Sequence, residues 1–230
     1  MKRVFRIHRF DPQDKTAHST DEFTLEVRGR DRILDVLLRI REELDGTLAF
    51  RHSCAHGVCG SDGFLINGIN KLACQTFVED YDGVIEIAPL RGLPVLKDLV
   101  VDMDPFEESI RKVRPWVEST TEGEGLQSPE DFEAIEDMTK CILCACCTTS
   151  CPSFWTNPEY LGPAALVAAA RFIKDGRNGA AAKVMERVGG LDGVLRCHTV
   201  MNCTDACPRD IDVTGAIAAV KAALLRGTPN

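Results

Sequence analysis

Short runs in which apolar and polar residues alternate open the chain and predict β-strands. Residues 4–10 and 23–28 have this pattern, and Asp11-Pro12 with its polar neighbours lies between them, so a hairpin is expected there. Further strands are expected at 64–66, 72–78 and 84–89, with a turn at Asn67-Gly68. The first part of the chain is therefore predicted to be rich in strands.

One segment among these strands has the spacing of a helix. From residue 33 to residue 44 the apolar side chains recur every three or four positions, and Gly46 follows them. One helix with several short strands favours a compact first domain, which we place at 1–105.

The composition changes in the middle of the chain. Residues 116–131 are rich in Glu, Ser, Thr, Gly and Gln, which bury little surface, so we place a connecting segment at 106–132. Three segments beyond it are rich in Ala, Leu and Val without strand alternation and are predicted to be helices: 163–174, 179–187 and 213–226. The last domain, 133–230, is therefore expected to be mostly helical.

The overall composition narrows the possible functions. With 230 residues, 44% of them hydrophobic and 27% charged, the chain is expected to fold as two ordinary soluble domains. Its net charge of -8 argues against a nucleic-acid partner, which requires a basic face. The longest apolar run, 164–170, is far shorter than the roughly 20 residues that cross a bilayer, and no signal-peptide pattern opens the chain. We therefore expect a cytoplasmic protein that reaches a membrane only through a partner.

Cysteine is unusually frequent, and the number of cysteines, 11, is odd. An odd number argues against a complete disulfide framework, and reducing conditions in the cytosol argue against one as well. Metal binding or catalysis is the expected use of these side chains.

The first group of cysteines has the spacing of a plant-type ferredoxin. Cys54, Cys59 and Cys74 occupy three ligand positions, and Asp62 stands where the third cysteine of that pattern normally falls. A 2Fe-2S cluster needs four anionic donors, and the glycines of the loop, Gly57, Gly60 and Gly63, are expected to let the backbone bend around it.

Alternatives to this assignment remain open. The thiols could be incidental to a glycine-rich loop, or they could hold zinc, although structural zinc sites usually use pairs of cysteines separated by two residues. Asp62 could ligate iron through its carboxylate or could instead cap the loop beside a site with three cysteines.

The second group contains the bacterial ferredoxin pattern. Cys141, Cys144, Cys147 and Cys151 are followed by Pro152, and in proteins with two such clusters the fourth cysteine ligates the other cluster. A second half of the motif is therefore expected further along the chain.

That second half is present but lacks one thiol. Cys197, Cys203 and Cys207 match the pattern, and Val200 takes the place of the middle cysteine. By exchange of the fourth cysteine, the expected ligands of a 4Fe-4S cluster are Cys141, Cys144, Cys147 and Cys207. The three thiolates left for the other cluster, which predict a 3Fe-4S centre, are Cys151, Cys197 and Cys203. Cys146 is left over and is expected to be a small packed residue.

Three redox centres without a substrate site favour electron transfer. No Ser-His-Asp set, phosphate-binding loop or dinucleotide fingerprint appears, so no catalytic residue is assigned. The chain resembles the iron-sulfur subunits of succinate dehydrogenases. The likeness is carried by residues 53–63, 141–152 and 196–208, and it extends over essentially the whole chain. The resemblance implies an α+β protein with an N-terminal plant-type ferredoxin (β-grasp) domain and a C-terminal all-α bacterial-ferredoxin-like domain.

The resemblance also implies a function within a complex. Electrons would pass from a flavoprotein subunit, which holds the FAD and oxidises succinate, through the 2Fe-2S, 4Fe-4S and 3Fe-4S clusters to a membrane quinone. Membrane-anchor subunits would hold the chain peripherally on the cytoplasmic side of the inner (plasma) membrane. Alternatives are the equivalent subunit of a quinol:fumarate reductase and a soluble multi-cluster ferredoxin-like carrier. A redox sensor is disfavoured, because three centres in series are hard to explain in that role.

Residues near the quinone are implied by the same resemblance. They are Pro152, Ser153, Trp155, Thr156, His198 and Val200. Many members of the family have two consecutive tryptophans, whereas here Thr156 follows Trp155, which leaves the pocket geometry and the type of quinone open. Trp155 could instead pack against a neighbouring subunit, and His198 could orient local backbone or a haem propionate in the anchor.

Overall fold

The computed structural model describes residues 1–118 and 125–227, and for residues 14–17 it describes the backbone alone. The chain divides into two compact units. The first unit comprises Met1–Met103 together with Cys144–Thr149, and the second comprises Asp104–Leu143 and the chain from Ser150 onward.

A five-stranded mixed sheet forms the centre of the first unit. Its strands are β1 (Lys2–Asp11), β2 (Asp14–Glu26), β3 (Gly63–Ile66), β4 (Ile69–Leu72) and β5 (Ile85–Ala88). Their order is β2-β1-β5-β3-β4, with β1 parallel to β5 and the other neighbours antiparallel. Alternate residues of β1, Phe5 and Ile7, are fully buried, as the alternating pattern of the sequence predicts.

A helix and a small ladder complete this unit. Helix α1 (Ile33–Arg39) continues as a π-helical turn, Ile40–Leu44, and Ile33, Leu34 and Leu37 of α1 are buried. The side chain of Asp35 accepts a hydrogen bond from the Arg32 backbone N–H at 2.9 Å, which caps the first turn. Strands β6 (Val95–Lys97) and β7 (Val100–Val101) pair with each other.

The prediction of a strand over 72–78 is wrong. Strand β4 ends at Leu72, and a 3-10 turn follows at Ala73–Gln75. The backbone N–H groups of Ala73 and Cys74 donate to the carbonyl oxygen and to Oδ2 of Asp62, at 2.9 and 2.6 Å. These bonds turn the chain toward the loop that contains Asp62, and they replace the ladder that a longer strand would need.

The remaining α-helices of the described chain follow the strands. They are α2 (Asp104–Val113), α3 (Pro129–Thr139), α4 (Cys146–Thr149), α5 (Pro152–Thr156), α6 (Gly162–Lys174), α7 (Ala181–Val188), α8 (Asn202–Asp205) and α9 (Val213–Arg226). Helix α4 belongs to the first unit, and the others belong to the second, where α6 packs against α2, α3, α7 and α9. The small residues of α6, mostly alanines, are almost all buried, which lets its neighbours approach closely.

The three helices predicted for the last domain are confirmed, with small shifts of their ends. The predicted connecting segment 106–132 contains most of α2 and the start of α3, and its residues 119–124 lie outside the described residues. In the ranges that the structure covers, no helix is long and apolar enough to cross a membrane.

A buried carboxylate ties distant parts of the first unit together. Asp98 is almost fully buried, and its Oδ1 accepts hydrogen bonds from Nε of Arg9 at 3.0 Å and from the Phe10 backbone N–H at 3.1 Å. Its Oδ2 accepts the N–H of Ala49 at 2.8 Å, and Arg9 also pairs with Asp45. The turn between β6 and β7 is thereby fastened to β1 and to the segment after α1.

We predict that Arg9→Ala destabilises the protein by about 3 kcal/mol, because it leaves the carboxylate of Asp98 buried without its cation. The measurement is the denaturant midpoint of the purified holoprotein. The matched control is Arg6→Ala on the same strand, which removes exposed ion pairs with Glu22 and Glu86 and is expected to shift the midpoint far less, because water screens exposed ion pairs. Equal shifts for the two variants would contradict the prediction.

Candidate metal centres

The loop that contains Cys54 and Cys59 turns through left-handed residues. Ala55, Gly57 and Gly60 have φ values of 58°, 78° and 69°. A Cβ on Gly57 would also lie 2.8 Å from Cδ of Gln75, so both the backbone angle and the close contact with this side chain favour glycine there. The expected role of Gly57 and Gly60 in bending the backbone is confirmed.

Gly63 has a different role from the one expected. Its φ is outside the left-handed region, but a Cβ there would lie 3.2 Å from Sγ of Cys146 and 3.3 Å from the carbonyl oxygen of Cys144. Glycine at this position therefore permits close packing between the start of β3 and the α4 turn. Tertiary contact, which cannot be seen in the local pattern, is the reason for this glycine.

Backbone N–H groups surround the sulfur of Cys54. The N–H groups of His56, Val58 and Cys59 point to Sγ of Cys54 at 3.5, 3.5 and 3.3 Å. These hydrogen bonds, that of His56 first, lower the pKa of Cys54 to about 6. The loop thus stabilises the thiolate, which is the form that ligates metal.

Cys74 and Asp62 lie side by side next to this loop. Nε2 of Gln75 donates to the Cys74 sulfur at 3.8 Å, and burial, followed by the adjacent carboxylate of Asp62, raises the pKa of Cys74 to about 11. Asp62 is only 2% exposed, and its Oδ1 has no hydrogen-bond partner in the described part of the chain. A buried carboxylate oxygen without a partner is costly, so Oδ1 fits a metal ligand better than a loop cap.

The four donors therefore fit a 2Fe-2S cluster by their chemistry and by their position, since Cys54, Cys59 and Asp62 lie on one loop and Cys74 lies beside Asp62. In the described ranges no three His, Cys, Asp or Glu side chains converge as the ligands of one metal ion do. A cluster with two irons has ligands on separate iron atoms, so its donors need not converge on a single point.

We predict that Asp62→Ala lowers the 2Fe-2S content of the purified protein, because an iron loses its fourth anionic donor, whereas Asp62→Cys retains the cluster. Iron analysis and the electron paramagnetic resonance (EPR) signal of the reduced 2Fe-2S cluster provide the measurement. Asp80→Ala, which removes an exposed carboxylate from another 3-10 turn of the same unit, is the control. Full occupancy in Asp62→Ala would show that the carboxylate only caps the loop.

The two halves of the second cysteine motif have the same backbone conformation at corresponding positions. Left-handed φ values occur at Leu143 (55°) and Ala145 (64°) in the first half and at Thr199 (57°) and Met201 (74°) in the second. One helical turn follows in each half, α4 and α8. Left-handed backbone is unfavourable for residues other than glycine, so its repetition indicates a conformation that the ligand loop requires. The exchange of cysteine for Val200 leaves this conformation unchanged.

The predicted 4Fe-4S ligands are distributed over both units. Cys144 and Cys147 belong to the first, and Cys141 and Cys207 to the second. This ligand set stays a prediction from the sequence.

The leftover cysteine is packed inside the first unit. Cys146 is fully buried, and its carbonyl oxygen accepts a hydrogen bond from Nδ2 of Asn70 at 3.1 Å. The same amide nitrogen donates to Oγ1 of Thr149 at 2.8 Å. Asn70 thus holds the α4 turn against β4, and the sequence pattern offered no signal for this role.

One pocket in the second unit brings the predicted 3Fe-4S ligands together. Cys151, Cys197 and Cys203 line a space of about 330 Å³ that is partly open to solvent. Val200 lines the same pocket and is 53% exposed, so the position that lacks a thiol faces the space that the three cysteines share. The donors present fit a cluster with three protein thiolates.

The residues expected near a quinone divide into two groups. Pro152, Ser153 and His198 line this pocket with Val200, whereas Trp155 and Thr156 are not among its lining residues. Trp155 is 41% exposed on α5, and the hydroxyl of Thr156 is directed at the carbonyl oxygen of Pro152, at 3.2 Å. The structure therefore brings four of the six predicted residues to the pocket.

Sequence reasoning missed two residues of α9 that contact these ligands. Nζ of Lys221 donates to the carbonyl oxygen of Cys197 at 2.5 Å, and Oγ1 of Thr214 lies 3.7 Å from Sγ of Cys203. Burial raises the pKa of Cys203, and the Thr214 hydroxyl opposes that rise. The signal available in the sequence was a pair of polar residues seven positions apart, hence on one face of a helix that is otherwise apolar until its last residue, Arg226.

Comparison with known proteins agrees with this arrangement. Residues 4–108 match the model of a 2Fe-2S iron-sulfur cluster binding domain, and residues 140–212 match that of a 4Fe-4S dicluster domain. The succinate dehydrogenase iron-sulfur subunit of Coxiella burnetii is 38% identical over 232 residues, which covers 98% of each chain. The chain belongs to the succinate dehydrogenase iron-sulfur subunit family.

Solved structures support the same conclusion. A chain of the Mycobacterium smegmatis Sdh1 complex in the apo form is 26% identical, with a TM-score of 0.86 over 100% of this chain and 98% of that one. A hypothetical protein from Helicobacter pylori, 16% identical with a TM-score of 0.61, covers 96% of this chain and 39% of that one and shares the fold. The expected α+β fold, with a 2Fe-2S domain followed by a helical 4Fe-4S dicluster domain, is confirmed, and the family is that of an oxidoreductase subunit.

Proposed function

We propose that this iron-sulfur subunit transfers electrons from a flavoprotein subunit to a membrane quinone within a complex that oxidises succinate. The observation that carries the proposal is the pocket of Cys151, Cys197 and Cys203, because its position without a thiol, Val200, distinguishes a terminal 3Fe-4S centre from a second 4Fe-4S centre. The bound clusters supply one-electron chemistry, and the succinate site and the FAD belong to the flavoprotein.

The chain's own residues define three centres in this proposal. The ligands of the 2Fe-2S cluster are Cys54, Cys59, Asp62 and Cys74. The ligands of the 4Fe-4S cluster are Cys141, Cys144, Cys147 and Cys207. The ligands of the 3Fe-4S cluster are Cys151, Cys197 and Cys203. In two of the three centres a ligand sulfur has hydrogen-bond donors beside it: backbone N–H groups at Cys54 and the buried hydroxyl of Thr214 at Cys203. Such hydrogen bonds set the potential at which a centre accepts an electron.

The side of the second unit beside the 3Fe-4S pocket is suited to a membrane partner. Val200 and Met201 line the pocket and are exposed, and two more exposed apolar side chains, Trp155 and Leu195, lie within two residues of Ser153 and Cys197, which also line it. Exposed apolar residues around a pocket are typical of an interaction site. We assign this surface to membrane-anchor subunits that hold the chain peripherally on the cytoplasmic side of the inner membrane.

A quinone beside that pocket would meet the residues that line it. Pro152, Ser153, His198 and Val200 form part of its wall, and His198 and Ser153 offer polar groups to a carbonyl oxygen of the quinone head. Trp155 on the neighbouring helix α5 supplies apolar surface to the quinone or to the anchor.

We assign the contact with the flavoprotein to the 2Fe-2S loop, which contains Cys54 and Cys59. His56, Val58 and Cys59 are exposed, so the 2Fe-2S loop presents its own backbone and side chains to a partner. A short path to an external electron donor requires such exposure.

The experiment that tests the proposal is iron and sulfide analysis of the native complex, combined with low-temperature EPR in the oxidised and reduced states. About nine irons are expected, two, four and three for the respective clusters, with a 3Fe-4S signal in the oxidised state. Reduced-state signals from the other two clusters should accompany it. An intact complex without the oxidised-state signal would overturn the proposed terminal centre.

We predict that Val200→Cys converts the 3Fe-4S centre toward 4Fe-4S, because it supplies a thiolate on a loop whose backbone already matches the cysteine-containing half. The measurement is loss of the oxidised-state signal together with a gain of about one iron per complex. Val188→Cys, a buried position on α7, is the control and should leave the inventory unchanged. If Val200→Cys kept the oxidised-state signal and the iron content of the wild type, the assignment of this position would be contradicted.

A further inference from the structure

Thr204 and Thr214 form a chain of hydrogen bonds that ends at the sulfur of Cys203. Oγ1 of Thr204 accepts the backbone N–H of Thr214 at 2.9 Å, and the two hydroxyl oxygens are 2.8 Å apart. Oγ1 of Thr214 is in turn 3.7 Å from Sγ of Cys203. All three residues belong to the second unit, and Thr214 is 9% exposed.

The direction of these hydrogen bonds follows from the donors available. A cysteine that ligates iron is a thiolate and can only accept, so the contact between Thr214 and Cys203 requires the Thr214 hydroxyl proton. The contact between the two hydroxyl oxygens must then use the proton of Thr204. Each contact thus has one donor. The backbone N–H of Thr214 donates to Oγ1 of Thr204, the Thr204 hydroxyl donates to Oγ1 of Thr214, and the Thr214 hydroxyl donates to Sγ of Cys203.

Hydrogen bonds at the start of α9 fix the position of Thr214. Thr214 is the second residue of α9, where a backbone N–H has no partner within the helix, and Thr204 satisfies it. Asp212 caps the same turn by accepting the N–H of Gly215 at 2.8 Å. A helix end with these bonds positions the Thr214 side chain, so its hydroxyl is directed at the sulfur before any electron arrives.

We propose that Thr214 raises the reduction potential of the cluster bound by Cys203 by donating its hydroxyl proton to that sulfur, and that Thr204 is the positioning residue that orients it. This inference rests on the proposed 3Fe-4S centre. Reduction adds one electron, which the preceding 4Fe-4S centre supplies, and no bond is made or broken, since the proton stays on Thr214. The hydrogen bond becomes stronger as negative charge on the sulfur increases, so it favours the reduced state.

Burial increases the effect of this contact. Cys203 and Thr214 are both at least nine-tenths buried, and in a low-dielectric environment a hydrogen bond to a charged group contributes more than it does in water. A high potential at the terminal centre would draw electrons toward the quinone end of the chain.

The experiment is EPR-monitored redox titration of the native complex with Thr214→Val, which preserves shape and removes the hydroxyl. We expect the ratio of reduced to oxidised 3Fe-4S cluster at a given ambient potential to fall about tenfold, equivalent to about 59 mV for a one-electron couple. Thr214→Ser should restore the wild-type potential, and Thr204→Val should produce a smaller shift in the same direction. Potentials of the other two clusters should not change in any variant.

A matched control removes a buried hydroxyl elsewhere in the second unit. Ser109→Ala on α2 deletes a hydroxyl that donates to the carbonyl oxygen of Pro105 at 3.0 Å, and it should leave the 3Fe-4S potential unchanged. An equal shift in this control would mean that the potential reports general packing, which would overturn the role of Thr214.

The outcomes separate this inference from the proposed function. A wild-type complex without a 3Fe-4S signal overturns the proposed centre itself. A wild-type signal with an unchanged potential in Thr214→Val overturns the role of Thr214 alone. If Thr214→Val fails to assemble, Thr204→Val decides, because a wild-type potential in that variant would show that the direction of the hydroxyl has no effect.

Discussion

Several anionic donors must face the same small space in each proposed centre, and the backbone between them has to turn sharply to bring them there. Left-handed residues meet this requirement in all three ligand loops: Ala55, Gly57 and Gly60 in the first, Leu143 and Ala145 in the second, and Thr199 and Met201 in the third. Most of these are not glycines, so the loops carry a conformational cost that the rest of the fold or the bound cluster must offset. The strands and helices on either side serve to hold these turns in place.

Hydrogen bonds to sulfur or to the ligand backbone form the next layer of organisation, and the two units achieve this differently. In the first unit, backbone N–H groups of the loop itself point at Cys54. In the second unit, side chains of α9 do so, through Thr214 at the Cys203 sulfur and Lys221 at the Cys197 carbonyl. A helix that lies beside a cluster can therefore influence its potential through single side chains, without any change in the ligands.

The remaining core positions these loops. The Arg9–Asp98 pair fastens the β6–β7 turn to β1, and Asn70 holds the α4 turn to β4, so the loops of the first unit are supported by buried polar contacts. In the second unit, the alanines of α6 allow four helices to pack around it. Of these contacts, those of Asn70 act directly on a ligand-bearing turn, because α4 includes Cys147, a predicted ligand of the 4Fe-4S cluster.

The spacing of the cysteines, the place of Val200 in the repeat and the helical segments of the second unit could all be read from the sequence, because ligand spacing and helix periodicity are local properties of the chain. The strand expected at 72–78 could not, since it was replaced by a turn that depends on hydrogen bonds to Asp62. The close packing of Gly63, the contact of Asn70 with the α4 turn and the Thr204–Thr214 pair likewise depend on residues distant in sequence. Local pattern determined which residues could be ligands, and only the tertiary structure decided which polar groups surround them, because hydrogen bonds between distant segments leave no periodic signal.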